Sequence, residues 1–304
     1  MMLGIILIFI VSTLILYKSS ELIIRSSIAF SKILGISSFV FAFILISVST
    51  SLPELSVAFL SSLEKIPGIS VGNVFGANLT VLTFVLGIIT IVSNGMSLRG
   101  KETKTLLRAL IISTLLSLYI IIKGKLTVLY GFVGAIMFVV FSIWMYRSER
   151  GHVTRENVPN VVTSFFFSIA ALIISAKFVV NSATYISDAL NLSKTFVGAT
   201  LVSLGTTLPE LSVELAAVRK KEYALALGDL FGSTVVNITL VLGTLSIMSP
   251  MAIDVKPLIT LLPFLFGSML FIWSRFWRTK LRKKDGVLLI IIYVLFLISE
   301  VLYH

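Results

Sequence analysis

The chain has no cysteine and only two histidines, His152 and His304. Without cysteine there are no disulfides, no thiolate nucleophiles and no cysteine-based zinc sites. His152 lies in a polar stretch and His304 is the last residue, so histidine-centred chemistry inside an apolar environment is excluded as well. Charge is also scarce, at 13% of 304 residues, with only 14 acids. What fills the sequence instead is apolar: 57% is hydrophobic and the mean hydropathy is +1.06. That exceeds what a soluble domain can bury, so lipid is the expected solvent and the fold class is all-α and polytopic. The net charge of +11 does not indicate a nucleic-acid partner, because the basic residues fall in short connections between apolar runs.

Runs long enough to cross a bilayer predict ten segments, at about 2–24, 38–62, 69–94, 105–122, 126–146, 160–187, 194–218, 223–248, 257–275 and 285–303. The N-terminal "MMLGIILIF" has no basic leader and is read as the start of the first segment. The polar connection "RSERGHVTREN" separates five segments from five, giving a first half over 1–146, a linker over 147–159 and a second half over 160–304. If successive connections alternate sides, 19 of the 25 Lys and Arg collect on one side and 6 on the other. The richer side is cytoplasmic by the positive-inside rule, which places both termini outside a multi-pass protein of the cell membrane.

Shifted by 156 residues, the sequence matches itself without a gap. "LPELSV" at 52–57 falls on "LPELSV" at 208–213, Ser47 on Ser203, Thr50 on Thr206, and Gly72 and Gly76 on Gly228 and Gly232. Halves with an odd number of spans enter the membrane from opposite sides, so this is an inverted repeat of the kind found in secondary transporters. At its centre stand "STSLPEL" and "GTTLPEL". Pro53 and Pro209 have no N–H to offer the carbonyls four residues back, and proline disfavours α-geometry in the residue before it, so each helix is expected to break just before Glu54 and Glu210.

An acid at the centre of a spanning helix costs about 2.5–3.5 kcal/mol. Neither glutamate has a basic residue nearby in its own span. A buried carboxylate without a cationic partner takes up a proton or a metal ion. Ser47, Ser49, Thr50, Ser51, Ser203, Thr206 and Thr207 surround the pair with oxygen, which suits a hard cation such as calcium or sodium. The following helices carry Asn73, Asn78, Asp229, Ser233, Thr234 and Asn237; Ser233 and Asn237 share a face suited to an ion path. Their glycines, at 72, 76, 228 and 232, form small-residue faces for close helix packing.

These paired motifs resemble the cation/calcium antiporters, a superfamily that includes sodium/calcium exchangers. Its hallmark is two inverted repeats, each with a G-[ST]-S-x-P-E-type motif followed by a G-N-x-x-G-S-type helix. The resemblance spans nearly the whole chain. It implies ten helices in two five-helix halves, with the second, third, seventh and eighth broken. It implies calcium held by Glu54 and Glu210 with backbone oxygens of Thr50 and Thr206, exchange against sodium by alternating access, and the first and sixth helices sliding over a fixed core. Sodium or another counter-ion would pass Ser47, Ser51, Ser203, Thr207, Ser233, Asn237 and Asn78. The ions are cargo: no resident cofactor, no enzymatic activity and no oligomer is required.

The chain also departs from the family pattern. Ser49 stands for the leading glycine, Ala77 for a serine, Val81 for a polar residue, Asn237 where an acid can occur, and Asp229 for asparagine. One sodium-type site has thus lost side-chain oxygens, and a proton-driven calcium antiporter is the alternative. Glu214, whose repeat mate is Ala58, lies one turn after Glu210. It is expected to pair with Arg219 or Lys220 at the membrane rim, or else to form a proton or cation relay with Asp229. "ALGD" at 226–229 partly matches the G-x-G-D of intramembrane aspartyl proteases, but no second aspartate lies mid-helix, which leaves that class remote. A passive channel would not need two broken-helix pairs. Lys284 serves topology alone, so Lys284→Ala should leave calcium flux into vesicles nearly unchanged.

Overall fold

The computed structural model describes residues 2–34, 46–97, 101–146, 158–277 and 280–303. The first part of the expected span 38–62 and most of the linker 147–159 lie outside them. Helix α1 (Met2–Leu34) continues ten residues past the expected end of the first span, because Arg25 and Lys32 end the apolar run but not the helical propensity. There follow α2 (Ser47–Thr50), α3 (Leu52–Leu63), α4 (Pro67–Thr80) and α5 (Leu86–Val92), then a two-residue strand β1 (Met96–Ser97), α6 (Lys101–Lys123) and α7 (Val128–Tyr146). The second half runs through α8 (Val158–Ala189), α9 (Lys194–Val197), α10 (Ser203–Thr206), α11 (Leu208–Arg219), α12 (Tyr223–Val236) and α13 (Leu242–Met248). It ends with α14 (Lys256–Trp277), β2 (Lys280–Leu281) and α15 (Lys283–Tyr303). Single π-helical turns, Val81–Val85 and Asn237–Val241, join α4 to α5 and α12 to α13; a third, Gly198–Val202, joins α9 to α10.

From Ser47 to Val92 every described element recurs with both bounds displaced by 156 residues. The correspondence reaches the turns. Lys65 and Lys221, repeat mates, both take the left-handed conformation (φ 58° and 63°) that closes α3 and α11. The N–H groups of Ile66 and Glu222, also mates, reach back to the carbonyls of Ser61 and Ala217 at 2.8 and 2.9 Å. The strand pairing obeys the same shift: Met96 pairs with Leu281, and their mates Ala252 and Lys125 form an isolated bridge.

Among the described residues six helical segments are long and apolar enough to cross a membrane: Met2–Ser19, Pro67–Val92, Phe166–Ala189, Lys194–Arg219, Leu225–Met248 and Lys256–Arg275. Pro67–Val92 and Leu225–Met248 are the most enclosed. Around them, α1 lies along α8, α5 packs on α15, and α13 packs on α7. The outer helices expose large apolar side chains such as Leu7, Ile136, Phe167 and Leu302, a surface suited to lipid and not to water. At the other end of the polarity scale, Arg275 and Asp285 form an ion pair at 3.3 Å, and Asp285 also accepts the backbone N–H of Arg282 at 2.8 Å, which caps α15.

Glycine permits the closest helix approach. A Cβ on Gly72 would run into the Thr195 carbonyl, one on Gly76 into the Ala199 carbonyl, and one on Gly198 into the Ile69 carbonyl. Backbone meets backbone here, so no side chain is available to move aside. Gly76→Leu should therefore cost more than the about 1–3 kcal/mol typical of an overpacked core. Size-exclusion profiles and thermal unfolding of the detergent-solubilised protein should show its loss or a much lower midpoint, while Gly267→Ala, with open space around it, matches the parent.

Candidate functional site

The expected helix breaks occur at Ser51 (φ −81°, ψ 2°) and Thr207 (φ −84°, ψ 0°), each one residue before the leucine that precedes proline. Both residues leave α-geometry, and Pro53 and Pro209 then occupy the first turn of α3 and α11, where a missing N–H removes no helical bond. This places Glu54 and Glu210 in those same first turns. There the exposed N–H groups of a helix start favour negative charge. The break thus does more than interrupt the span: it turns a helix start toward each carboxylate inside the core.

Glu54 and Glu210 are wholly buried, and none of their four carboxylate oxygens has a hydrogen-bond partner. Each lies within electrostatic reach of the other. Thr206 stands beside Glu54, but its hydroxyl donates to Asn73 Oδ1 at 2.9 Å. The repeat mate of that bond runs from Thr50 to Asp229 Oδ1 at 3.2 Å. Each motif threonine is therefore pinned across the repeat boundary by the polar residue on the facing helix. Ser47 adds a bond to the Asp229 backbone carbonyl at 3.3 Å.

The remaining expected residues fall into three sets. Asn78 and Asn237 meet at 3.0 Å, joining the two π-turn helices at the centre, and Asn78 also donates to the Thr234 carbonyl at 3.4 Å. Ser51 is buried with an unpartnered hydroxyl. Ser203, Thr207 and Ser233 are buried too, but their hydroxyls donate to carbonyls of their own helices, at 2.7, 2.9 and 3.2 Å for the nearest. Their oxygens keep lone pairs for an ion but point along the backbone.

Glu214 does not reach the rim. It is fully buried, neither carboxylate oxygen has a partner, and Arg219 and Lys220 are exposed. The pairing expected from sequence fails because the helix carries Glu214 inward on the face of Glu210, one turn away. Among the described residues no Lys or Arg is buried, and no three acidic or histidine side chains are grouped so as to hold one metal ion. Asn73, read from sequence only as one of the polar residues on its helix, is the partner of Thr206, a pairing signalled by its being the repeat mate of Asp229. One participant was not expected from sequence. Tyr130 gives its hydroxyl to the Ile238 carbonyl, inside a π turn, at 2.9 Å, and no sequence signal pointed to it.

The moving parts implied by the resemblance touch this site. The Tyr17 hydroxyl on α1 meets Ser212 on α11 at 2.8 Å, and a Cβ on Gly205 would strike the Thr13 methyl at 2.6 Å. A mainly apolar groove of about 350 Å³ lies between α1 and α8, lined by Leu7, Val11, Ile174 and Phe178 together with Ser12 and Ser175.

Comparison with known proteins agrees in both sequence and shape. An uncharacterized membrane protein of Methanocaldococcus jannaschii is 28% identical over 302 residues, covering 96% of each chain. The sodium/calcium exchanger MaX1 of Methanosarcina acetivorans is 24% identical over 341 residues, covering 96% of this chain and 97% of its own. The crystal structure of the H+/Ca2+ exchanger CAX superposes with a TM-score of 0.80 at 16% identity, over 98% of this chain and 86% of CAX, and shows a shared fold. The sequence matches the sodium/calcium exchanger protein family over residues 4–147 and 160–301. By that match, which takes in both halves, this multi-pass membrane chain belongs to the sodium/calcium exchanger family.

Proposed function

We propose that the chain is a secondary antiporter that exchanges Ca2+ for Na+, with Ca2+ held between Glu54 and Glu210. The observation that carries this reading is the pair itself: two wholly buried carboxylates, one from each repeat, with four unpartnered oxygens and no buried cation among the described residues. Membership of the exchanger family and the name of the relative MaX1 agree with it. A divalent ion offsets both charges and takes further oxygens from the Thr50 and Thr206 backbone, which the helix breaks free from regular pairing. Sodium competes for the same oxygens, so one cation leaves as the other enters.

In this reading ten spans form two inverted halves, 1–146 and 160–304, with both termini outside the cell. The counter-ion passes Ser47, Ser51, Ser203, Thr207, Ser233, Asn237 and Asn78. The enclosed helices α4–α5 and α12–α13 are the fixed frame, with α4 held backbone to backbone against α9 and the π turn after it through Gly72 and Gly76. Helices α1 and α8 slide over it as a pair and expose the ion to each side in turn. The Tyr17–Ser212 contact is broken and remade in the process.

A second reading, proton-driven calcium exchange, draws on Ala77 and Val81, which supply no side-chain oxygen, and on the fold shared with CAX. Calcium flux into vesicles with sodium and pH gradients imposed separately distinguishes the two. The sodium reading expects flux to collapse when sodium is removed; flux that persists and follows the pH gradient would replace it with the proton reading. Glu54→Gln and Glu210→Gln should each reduce calcium flux by about 100-fold or more, since each removes a charged ligand worth several kcal/mol in a dry site. Both variants should still elute as folded protein.

A further inference from the structure

The π turns Val81–Val85 and Asn237–Val241 are repeat mates in backbone but not in what they carry. The first begins with Val81, the second with Asn237. In the second, the N–H of Leu242 reaches the Asn237 carbonyl, five residues back. In a regular α-helix that N–H would serve Ile238, four residues back. Ile238 is buried, and a carbonyl at membrane depth that loses its helical donor needs another. The Tyr130 hydroxyl supplies it, donating to the Ile238 carbonyl at 2.9 Å.

Tyr130 is itself held in place. It is buried, its backbone N–H donates to the Thr127 hydroxyl at 3.2 Å, and its ring stacks on Tyr119 with centroids 6.4 Å apart. Its helix, α7, lies directly on the same turn. A Cβ on Gly134 would come within 2.5 Å of the Thr239 carbonyl, and one on Gly131 within 2.7 Å of the Gly243 carbonyl. The first half of the chain thus braces the π turn of the second. The brace has no counterpart at the first π turn: the repeat mate of Tyr130 is Gly286, which has no side chain and sits against Gly87. The clamped turn is therefore the one that begins with a side-chain oxygen.

That oxygen is open. Asn237 Nδ2 donates to Asn78 Oδ1 at 3.0 Å, whereas Asn237 Oδ1 has no partner and the residue is completely buried. A π turn holds one residue more than an α turn. Relaxing it would rotate Asn237 relative to α13 by up to about 100° and swing the amide off its present line.

We infer that Tyr130 is a positioning residue for the counter-ion: by holding the second π turn, it aims the unpartnered Oδ1 of Asn237 into the ion path. Tyr130 touches no ion itself. The inference deepens the proposed function and rests on it for the passage of the counter-ion at Asn237. It makes the sodium side of the exchange depend on one hydroxyl and leaves Glu54 and Glu210, which stand on α3 and α11, untouched.

The test is sodium-dependent calcium flux in vesicles carrying the purified full-length chain, beside equilibrium Ca2+ binding to the same preparations. Tyr130→Phe keeps the ring and removes only the donor. Its half-saturating sodium concentration should rise about threefold to tenfold, the scale of one neutral hydrogen bond, while Ca2+ affinity stays within about twofold of the parent. Asn237→Ala should raise the sodium requirement at least as much, and adding Tyr130→Phe to it should change nothing further, because one residue acts through the other. A ring-fluorinated tyrosine at 130, which keeps the hydroxyl, should restore the parent value. Its fluorine resonance should move when sodium is added, and stay still in the Asn237→Ala background; this signal reads the inference independently of whether Tyr130→Phe folds. The inference is overturned by a Tyr130→Phe that leaves sodium dependence unchanged, shifts sodium and calcium alike or adds fully to Asn237→Ala, and by a fluorine signal indifferent to sodium. Failure of the underlying counter-ion path looks different: Asn237→Ala would then keep the parent's sodium dependence while Glu54→Gln still abolishes calcium binding, and the inference falls with it.

Discussion

The structure depends on one constraint: carboxylates in a low-dielectric core must be neutralised by something other than the protein. A cationic side chain beside Glu54 or Glu210 would form a static ion pair. None is buried among the described residues, so in the proposed exchange the transported ion offsets the negative charge. The helix breaks, the first-turn position of each glutamate and the cross-repeat threonine bonds all serve to keep two acids close and unpaired without unfolding the surroundings. Enclosure raises the cost of an empty site and also strengthens the attraction for an ion.

Much of this was readable in the residues. Proline before glutamate fixes where a spanning helix must break, because the lost N–H and the restricted preceding residue act locally whatever surrounds them. The 156-residue offset was equally legible, and it extends to features no motif encodes, such as the left-handed Lys65 and Lys221. What the sequence concealed depends on neighbours. The π turns at Val81–Val85 and Asn237–Val241 are set by packing and by partners such as Tyr130, which satisfies the Ile238 carbonyl from another helix. Glu214 was misread for a related reason: its nearness to Arg219 along the chain suggested the rim, whereas helical direction turns it inward.

The repeats are matched in backbone and unmatched in chemistry. Thr50 with Asp229 and Thr206 with Asn73 are the same bond built once with an acid and once with an amide. Duplication supplies the geometry; single substitutions then make the two faces of the site distinct. The departures from the family pattern all fall on helices that line the core, which is where altering one oxygen changes which ion is preferred without altering the frame.

Two short backbone clips join the repeats. Met96–Ser97 with Lys280–Leu281, and Lys125 with Ala252, fasten one half to the other at opposite ends of α6. Two straps so placed oppose the halves scissoring apart. In the proposed exchange the site then opens by displacement of its cover while its walls stay put, a fixed cradle under a travelling shutter and not a pair of jaws.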